Sequence, residues 1–293
     1  MNKRRVCKSA VAALALVGLA ACVETAGFGA PPAVRNDLAR AEADDANAQY
    51  RLGIRYTNGQ GVEQDYAAAT RWFVKAASLG HADASYMAGI NLYTGRGAGV
   101  DFPRALAMFR DAARKGHMRA RYQLGDAYAN GRGAPKNLAW AARWYEQAAR
   151  QGHAAAMTAF GVMRASGLGV AKDALDAWVW LELAARRAEP QAAQVLDRVA
   201  KGLAATQLAD GRRRADGWKP ESIALPADTA TLRFVQHALN QIGLAAGPED
   251  GVAGPQTRRA VLAYQAGKGL AVTGDVSDRL TEALVAQTAS ATE

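Results

Sequence analysis

The sequence predicts an all-α protein: an α-solenoid of four 36-residue helix-pair repeats, followed by a small C-terminal three-helix domain. Two observations predict the solenoid, because glycines and alanine pairs recur every 36 residues and the apolar residues between them follow helical spacing. A third observation predicts the C-terminal domain, namely three short amphipathic segments separated by glycine-containing turns. The recurring positions include Gly53, Gly89, Gly125 and Gly161, and the pairs Ala76-Ala77, Ala112-Ala113, Ala148-Ala149 and Ala184-Ala185.

The first repeat shows how one unit is built. Residues 46–56 place apolar side chains on one helical face, with Gly53 where a neighbouring helix has to approach closely. Gly59 and Gly61 end this helix, and Asp65 supplies a side-chain oxygen for the start of the next one. Because two helices of this length cannot bury their apolar faces alone, we expect the copies to stack into a curved α-solenoid.

The repeat unit has a recognisable pattern. It reads A-x-x-x-L-G-x-x-Y-x-x-G-x-G-V-x-x-D, then A-x-x-W-F-x-x-A-A-x-x-G-H, and it resembles the Sel-one-like repeat, a relative of the tetratricopeptide repeat. Four copies cover roughly residues 46–189, and the sequence after Pro190 predicts a terminal helix pair, which gives a solenoid over residues 37–218. The resemblance implies a scaffold or adaptor that holds a protein partner.

Three histidines share one repeat position, directly after the glycine that ends the second helix. Equivalent positions in stacked helix pairs lie about 10 Å apart, so these side chains cannot bind one shared ion. The fourth copy has Glu189 at this position, which also argues against a metal site. We therefore predict a capping or inter-repeat hydrogen bond for His81, His117 and His153, and no metal or cofactor.

The last part of the chain is predicted to be a linker, residues 219–230, and a three-helix module, residues 231–288. Its first helix is expected to bury Leu232, Val235, Leu239 and Ile242, and its second Val261, Leu262 and Tyr264.

The module has a pattern of its own. The patterns V-Q-x-x-L-x-x-x-G, D-G-x-x-G-P-x-T-x-x-A-V-x-x-Y-Q and G-L-x-V-T-G resemble the peptidoglycan-binding domain that accompanies many cell-wall hydrolases. The resemblance implies that peptidoglycan is a partner. The sequence departs from the family where aromatic residues usually flank the D-G turn, since Leu244, Ala245 and Ala253 stand there.

Four polar residues of the module are candidates for lining a glycan or peptide groove: Asp250, Thr257, Arg258 and Gln265. A structural role is the alternative for each of them, and three have a specific one. Asp250 is able to hold its own turn through an Asx hydrogen bond, Thr257 to satisfy the first turn of its helix, and Gln265 to join two helices.

The N-terminus predicts a secreted lipoprotein. Four basic residues precede the apolar run from Ala10 to Ala21, which is too short for a comfortable membrane span. The sequence Leu19-Ala20-Ala21-Cys22 resembles a bacterial lipobox, which implies a signal peptide over residues 1–21 and lipidation of Cys22. Ordinary signal cleavage near Ala21 is the alternative. Residues 22–36 are predicted to be a flexible tether.

Two consequences follow from this processing. Val23 after the cysteine, rather than aspartate, favours the outer membrane facing the periplasm by the same resemblance. Removal of the four basic residues of the signal lowers the formal net charge from +9 to +5, and this charge is dispersed along the chain. The composition therefore gives no reason to predict nucleic-acid binding.

The sequence does not predict an enzyme. No G-x-S-x-G or H-E-x-x-H motif is present, and the solenoid and module account for nearly all of the mature chain. The function predicted is a non-catalytic, lipid-anchored periplasmic scaffold that binds peptidoglycan through its module and an envelope protein through its solenoid. The alternative is a regulator of a cell-wall hydrolase, with the module docking protein rather than glycan.

Overall fold

The computed structural model describes residues 31–221, 229–274 and 276–289, and over them the chain forms fourteen α-helices and no β-strand. This confirms the all-α prediction. The chain divides into two compact units, Met1–Val100 and Asp101–Glu293. The first contains α1 (Pro32–Glu42), α2 (Ala46–Asn58), α3 (Tyr66–Ser78) and α4 (Ala82–Thr94). The second contains α5 (Phe102–Arg114), α6 (Met118–Asn130), α7 (Leu138–Arg150), α8 (Ala154–Ser166), α9 (Ala174–Ala185), α10 (Ala192–Ala200), α11 (Ala205–Gly217), α12 (Thr229–Gln241), α13 (Pro255–Gly267) and α14 (Asp278–Ala289).

The repeats are capped and packed as the first copy predicts. The Asp65 carboxylate accepts hydrogen bonds from the N–H groups of Ala67 and Ala68 at 2.8 and 2.9 Å, which confirms its role at the start of α3. Gly59 ends α2 with a left-handed φ of 68°. A Cβ added at Gly53 would lie 2.4 Å from the Phe73 ring, so only glycine permits the contact between α2 and α3.

Helix α1 changes the predicted start of the solenoid. Residues 32–36 belong to this helix and not to a tether, so that part of the prediction for residues 22–36 is wrong; the rest, up to residue 30, lies outside the described residues. Pro32 stands in the first helical turn, where its missing N–H has no cost, and Val34 and Leu38 are buried against α2. The buried Asp37 carboxylate also pairs with Arg51 and Arg55.

The terminal helix pair after Pro190 is present as α10 and α11. Helix α11 packs closely on α9 at Gly211. A Cβ added at Gly211 would lie 2.7 Å from the Trp178 ring, so glycine allows this close approach. Beyond it, Trp218 packs edge-on against Trp180 with ring centroids 6.3 Å apart. The Glu221 N–H then donates to the Arg150 carbonyl at the end of α7, so the first residues of the predicted linker return to the repeats.

The C-terminal module consists of α12, α13 and α14. Helix α12 begins at Thr229, inside the predicted linker, whose residues 222–228 lie outside the described part of the chain. Of the predicted core residues, Val235, Leu239, Val261 and Tyr264 are buried, whereas Leu232, Ile242 and Leu262 are only half-buried. Helix α12 also buries Phe234 and Ala238, which the predicted set omits, and it contacts α7 of the repeats.

Candidate binding surfaces

Asp250 lies in the turn between α12 and α13, and its side chain is exposed. Its carboxylate accepts hydrogen bonds from the Val252 N–H and from the Gln236 amide, both at 2.9 Å. These bonds, that from Gln236 foremost, hold the pKa of Asp250 below its ordinary value. Asp250 therefore holds its own Asx turn while its carboxylate remains at the surface.

Thr257 lies in the first turn of α13, but its side chain points into the module and is 3% exposed. Its hydroxyl donates to the Ala246 carbonyl at 2.9 Å and accepts from the Gln236 amide at 3.1 Å. The side chain thus joins the turn to the helix start. Because Thr257 is buried, it is able to affect ligand binding only indirectly, by holding the conformation of this turn.

Gln265 is also buried, at 2% exposure, near the end of α13. Its Oε1 accepts hydrogen bonds from the N–H groups of Thr273 and Gly274 at 3.1 and 2.9 Å. The side chain therefore fixes the loop between α13 and α14, whereas the structural role predicted from the sequence joins two helices.

Arg258 is exposed, and its side chain lies across the backbone of Gly274. A Cβ at Gly274 would lie 2.9 Å from the Arg258 Nε atom, and the left-handed φ of 76° at this residue favours glycine. The loops on either side of α13 expose Val252 and Val272, at 61% and 57%. Of the four predicted groove residues, Asp250 and Arg258 are at the surface, and their part in binding stays a prediction.

Gln236 organises this end of the module, although it is not among the predicted site residues. It is 1% exposed; besides its bonds to Asp250 and Thr257, its Oε1 accepts from the Gly251 N–H at 2.8 Å. The pattern V-Q-x-x-L contains this residue, but in a helix a glutamine between apolar residues gives no signal of a buried hydrogen-bonding centre.

The repeat histidines are helix caps. The Nδ1 atoms of His81, His117 and His153 accept hydrogen bonds from the N–H groups of Ala84, Ala120 and Ala156 at 3.3, 3.1 and 3.2 Å. His81 stacks on Tyr50 and His153 on Tyr122, with ring centroids 4.4 and 4.6 Å apart. Burial, with a smaller contribution from Arg119, lowers the pKa of His153 and favours the neutral ring that accepts the bond. The capping prediction is confirmed.

The module docks on α7 of the third repeat through aromatic and cationic side chains. Phe234 of α12 meets Trp140 of α7 edge-on, with ring centroids 4.5 Å apart. The Arg143 guanidinium lies over the rings of Trp140 and Trp144, at 4.3 and 4.2 Å from their centroids. Arg143 Nε also donates to the Thr231 hydroxyl of α12 at 2.7 Å.

A buried carboxylate completes this docking surface. Glu146 of α7 has a side chain 2% exposed and pairs with Arg150 on its own helix and with Arg233 on α12. Arg150 also pairs with Glu221 at 2.6 Å. Burial lowers the pKa of Arg150, but the two carboxylates outweigh it and raise the pKa above its ordinary value. The charges are therefore compensated where the module meets the repeats.

Two further contacts tie the module to the repeats. Asn137 caps α7 by accepting from the Trp140 N–H at 2.8 Å, and its amide group donates to the Val285 carbonyl and the Thr288 hydroxyl of α14. Glu249 of the module lies 3.0 Å from His237 and accepts from the backbone of Ala171. Burial raises the pKa of Glu249, but His237 and Ala171 outweigh it and hold the pKa below its ordinary value.

Over the part of the chain that the structure describes, no helix has the length and apolar character needed to cross a membrane. Within the same residues, no group of three or more His, Cys, Asp and Glu side chains has the arrangement of a metal site. Cys22 lies outside the described residues.

Comparison with known families agrees with this architecture. Residues 46–81, 82–117, 119–153 and 154–188 match the Sel1 repeat, and residues 229–284 match a peptidoglycan binding domain. Sel1 repeats indicate protein–protein interaction, and the C-terminal domain indicates peptidoglycan binding and an association with the cell envelope. Both kinds of domain are typically non-catalytic.

Similar proteins share parts of the chain. The localization factor PodJL of Caulobacter vibrioides is 46% identical over 55 residues, which are 19% of this chain and 6% of PodJL. A Sel1 repeat protein from Oxalobacter formigenes has 35% sequence identity and a TM-score of 0.53, covering 57% of this chain and 48% of that one. The antigen c5321 of uropathogenic Escherichia coli, described as having an SLR fold, has 25% identity and a TM-score of 0.54, covering 86% and 55%. The chain therefore carries four Sel1 repeats followed by a C-terminal domain of the peptidoglycan-binding family.

Proposed function

We propose that this protein is a non-catalytic scaffold of the bacterial cell envelope, which binds peptidoglycan through its C-terminal module and a protein partner through its Sel1 repeats. The observation that carries the proposal is the docking of a complete three-helix module on α7, which leaves Asp250 and Arg258 exposed. A module held in this way would position the third repeat at a fixed distance from the wall.

The lipid anchor belongs to the same proposal. Lipidation of Cys22 would hold the chain at the outer membrane, on the periplasmic side, where peptidoglycan lies within reach. The lipobox-like residues before Cys22 and the Val23 after it support this location.

A sedimentation assay with purified sacculi tests wall binding. We expect the full chain to sediment with sacculi and the Arg258→Glu variant to be retained several-fold less, because the exposed guanidinium is replaced by a carboxylate of opposite charge. The matched control is Arg198→Glu, which reverses an exposed arginine in the terminal cap. Equal retention of all three proteins would remove Arg258 from the binding surface, and no retention of the full chain would contradict wall binding.

The structure gives one specific reason to keep the second candidate, a regulator whose module docks protein. The face of α12 that carries Phe234 and Arg233 already binds a protein surface, that of α7. If the module acts only in this way, the full chain will not sediment with sacculi, but it will change the rate at which a purified wall hydrolase releases muropeptides. Release of muropeptides by the full chain alone would contradict both candidates.

A further inference from the structure

A groove of about 390 Å³ opens at the fourth repeat, within the second compact unit. Its bed is formed by the face of α8 that carries Thr158, Ala159 and Val162, and its sides include Tyr145 of α7 and Glu189 before α10. Val162 and Leu168 expose 37% and 50% of their surface here. The volume lies in the range of sites that bind small molecules or short peptide segments.

The groove lies where the fourth repeat departs from the pattern of the others. In the first repeat Tyr50 stacks on His81, and in the third Tyr122 stacks on His153. The corresponding residues one repeat further along are Thr158 and Glu189, and both line the groove. Two aromatic rings are therefore absent where the groove lies, and the positions that such rings occupy in the first and third repeats carry Thr158 and Glu189.

Glu189 gives the groove a charge. Over the described residues, no ion pair or side-chain hydrogen bond joins its carboxylate to another group. Burial, followed by the charges of Asp126 and Glu189, raises the pKa of Tyr122, which is consistent with a carboxylate next to this ring. An apolar groove with a carboxylate at its edge favours a ligand that combines apolar surface with a positive charge.

We propose that this groove binds a segment of a partner protein that presents apolar side chains to α8 and one lysine or arginine to Glu189. The inference rests on the proposed function only in that the repeats bind protein, and it adds the place and the chemistry of that partner. The repeats keep their helical frame through the other positions of the pattern, whereas the fourth copy uses the Tyr and His positions for recognition.

A library of random dodecapeptides, displayed on phage and panned against the full chain, tests the proposal. We expect enrichment of sequences with several Leu, Ile, Val, Phe or Met residues and one Lys or Arg. A synthetic peptide from this set should lose at least tenfold in affinity on Thr158→Tyr, which refills the groove with the ring that the other repeats carry. It should lose about tenfold on Glu189→Gln, because a charge-assisted hydrogen bond is lost.

A double-mutant cycle separates the contribution of the Glu189 charge to peptide binding from any effect of the substitution on folding. Replacing the basic residue of the peptide by glutamine should weaken binding to the wild-type chain but cause no further loss with Glu189→Gln, since the two changes remove the same interaction. The matched control is Glu63→Gln, which neutralises an exposed carboxylate in the first repeat and should leave affinity unchanged. The cycle needs only the isosteric Glu189→Gln variant. It therefore tests the contact between Glu189 and the basic residue of the peptide even if Thr158→Tyr disturbs folding.

Several outcomes would overturn the proposal. They are a failure to enrich any sequence, enrichment of acidic peptides, equal binding by the Thr158→Tyr and wild-type chains, and competition by soluble muropeptides. A wild-type dimer that becomes a monomer on Thr158→Tyr would assign the groove to a second copy of the chain. Retention on sacculi does not involve Glu189, so failure here and failure of wall binding are distinguishable.

Discussion

The Asn137 amide donates hydrogen bonds to the Val285 carbonyl and the Thr288 hydroxyl, each at 2.9 Å, and so joins the third repeat to the last helix of the module. The residues at the same repeat position are Asp65, Asp101 and Asp173, which also cap their helices. A carboxylate caps a helix as well as an amide does, but only the amide has a donor left for a second partner. The one exception among the four caps is therefore the residue that the docked module requires.

The variant Asn137→Asp tests this role. It keeps the cap of α7 but removes the donor, so the Val285 carbonyl faces a carboxylate, and we expect docking of α14 to weaken by about 1–3 kcal/mol. Hydrogen exchange of the α14 amides measures the change as faster local opening. The control is Asp65→Asn, the reverse substitution at a cap without such a partner, which should change the stability of its own helix by less than about 0.5 kcal/mol. Unchanged exchange in α14 would contradict the role of Asn137.

Glu146 is expected to be the most sensitive charged residue of the docking surface. Glu146→Gln removes the carboxylate paired with Arg233 and leaves Arg150 with Glu221 alone, and loss of one partner in a buried ion cluster costs about 3–5 kcal/mol. Chemical denaturation of the second unit, followed by Trp fluorescence, measures the loss. Glu182→Gln is the comparison, because its pair with Arg186 is more exposed and should contribute about 0–1 kcal/mol. Similar losses of stability in the two variants would show that Glu146 contributes no more to the stability of the second unit than an exposed ion pair does.

The buried amide of Gln265 fixes the loop before α14. Gln265→Ala leaves the N–H groups of Thr273 and Gly274 without their acceptor, and we expect the module to lose about 1–3 kcal/mol of stability. Gln256→Ala, on the exposed side of the same helix, should cost less than about 0.5 kcal/mol. Thermal unfolding of the two variants separates the alternatives, since equal midpoints would mean that the loop does not depend on Gln265.

The parts of the fold that could be predicted are those that a short, repeated stretch of sequence determines. The Asp65 cap, the close contact at Gly53 and the histidine caps each depend on residues a few positions apart or one helix pair apart, and the 36-residue step repeats the signal. The sequence predicts a tether where α1 begins at Pro32, because prolines and small residues suit both an extended segment and a first helical turn.

The candidate site could be predicted only in part. The sequence does not distinguish a threonine or glutamine that faces a ligand from one that makes buried hydrogen bonds. Only the structure shows that Thr257 and Gln265 are buried. The docking of α12 on α7 joins residues such as Arg233 and Glu146, which are 87 positions apart. No local pattern signals a contact over that separation. The exception at Asn137 is visible in the sequence, but its meaning depends on knowing that α14 lies beside it.

The module is expected to lose stability in acid through Glu249. The pKa of this carboxyl is lower in the folded protein than its ordinary value of 4.5, so the unfolded chain takes up the proton first as the pH falls. The stabilisation is therefore complete above about pH 4.5 and is lost as the pH falls through the folded pKa. Urea unfolding at several pH values between 7 and 3 measures this as a falling midpoint. In Glu249→Gln the midpoint should be lower at pH 7 and should fall less between pH 5 and 3, whereas an unchanged slope would assign the acid sensitivity to other carboxyls.

The proposed lipid anchor predicts a simple partition. Cys22→Ser removes the thiol to which a lipid would be attached, and a chain without the lipid loses the buried methylene groups that hold it in the membrane. We expect the unmodified chain to fractionate with outer membranes and to incorporate a radiolabelled fatty acid, and the Cys22→Ser variant to do neither. Cys7→Ser is the matched control, because it removes the other cysteine of the chain and should leave both measurements unchanged. Labelling of the Cys22→Ser variant would contradict lipidation at this residue, and soluble, unlabelled wild-type protein would favour ordinary signal cleavage near Ala21 instead.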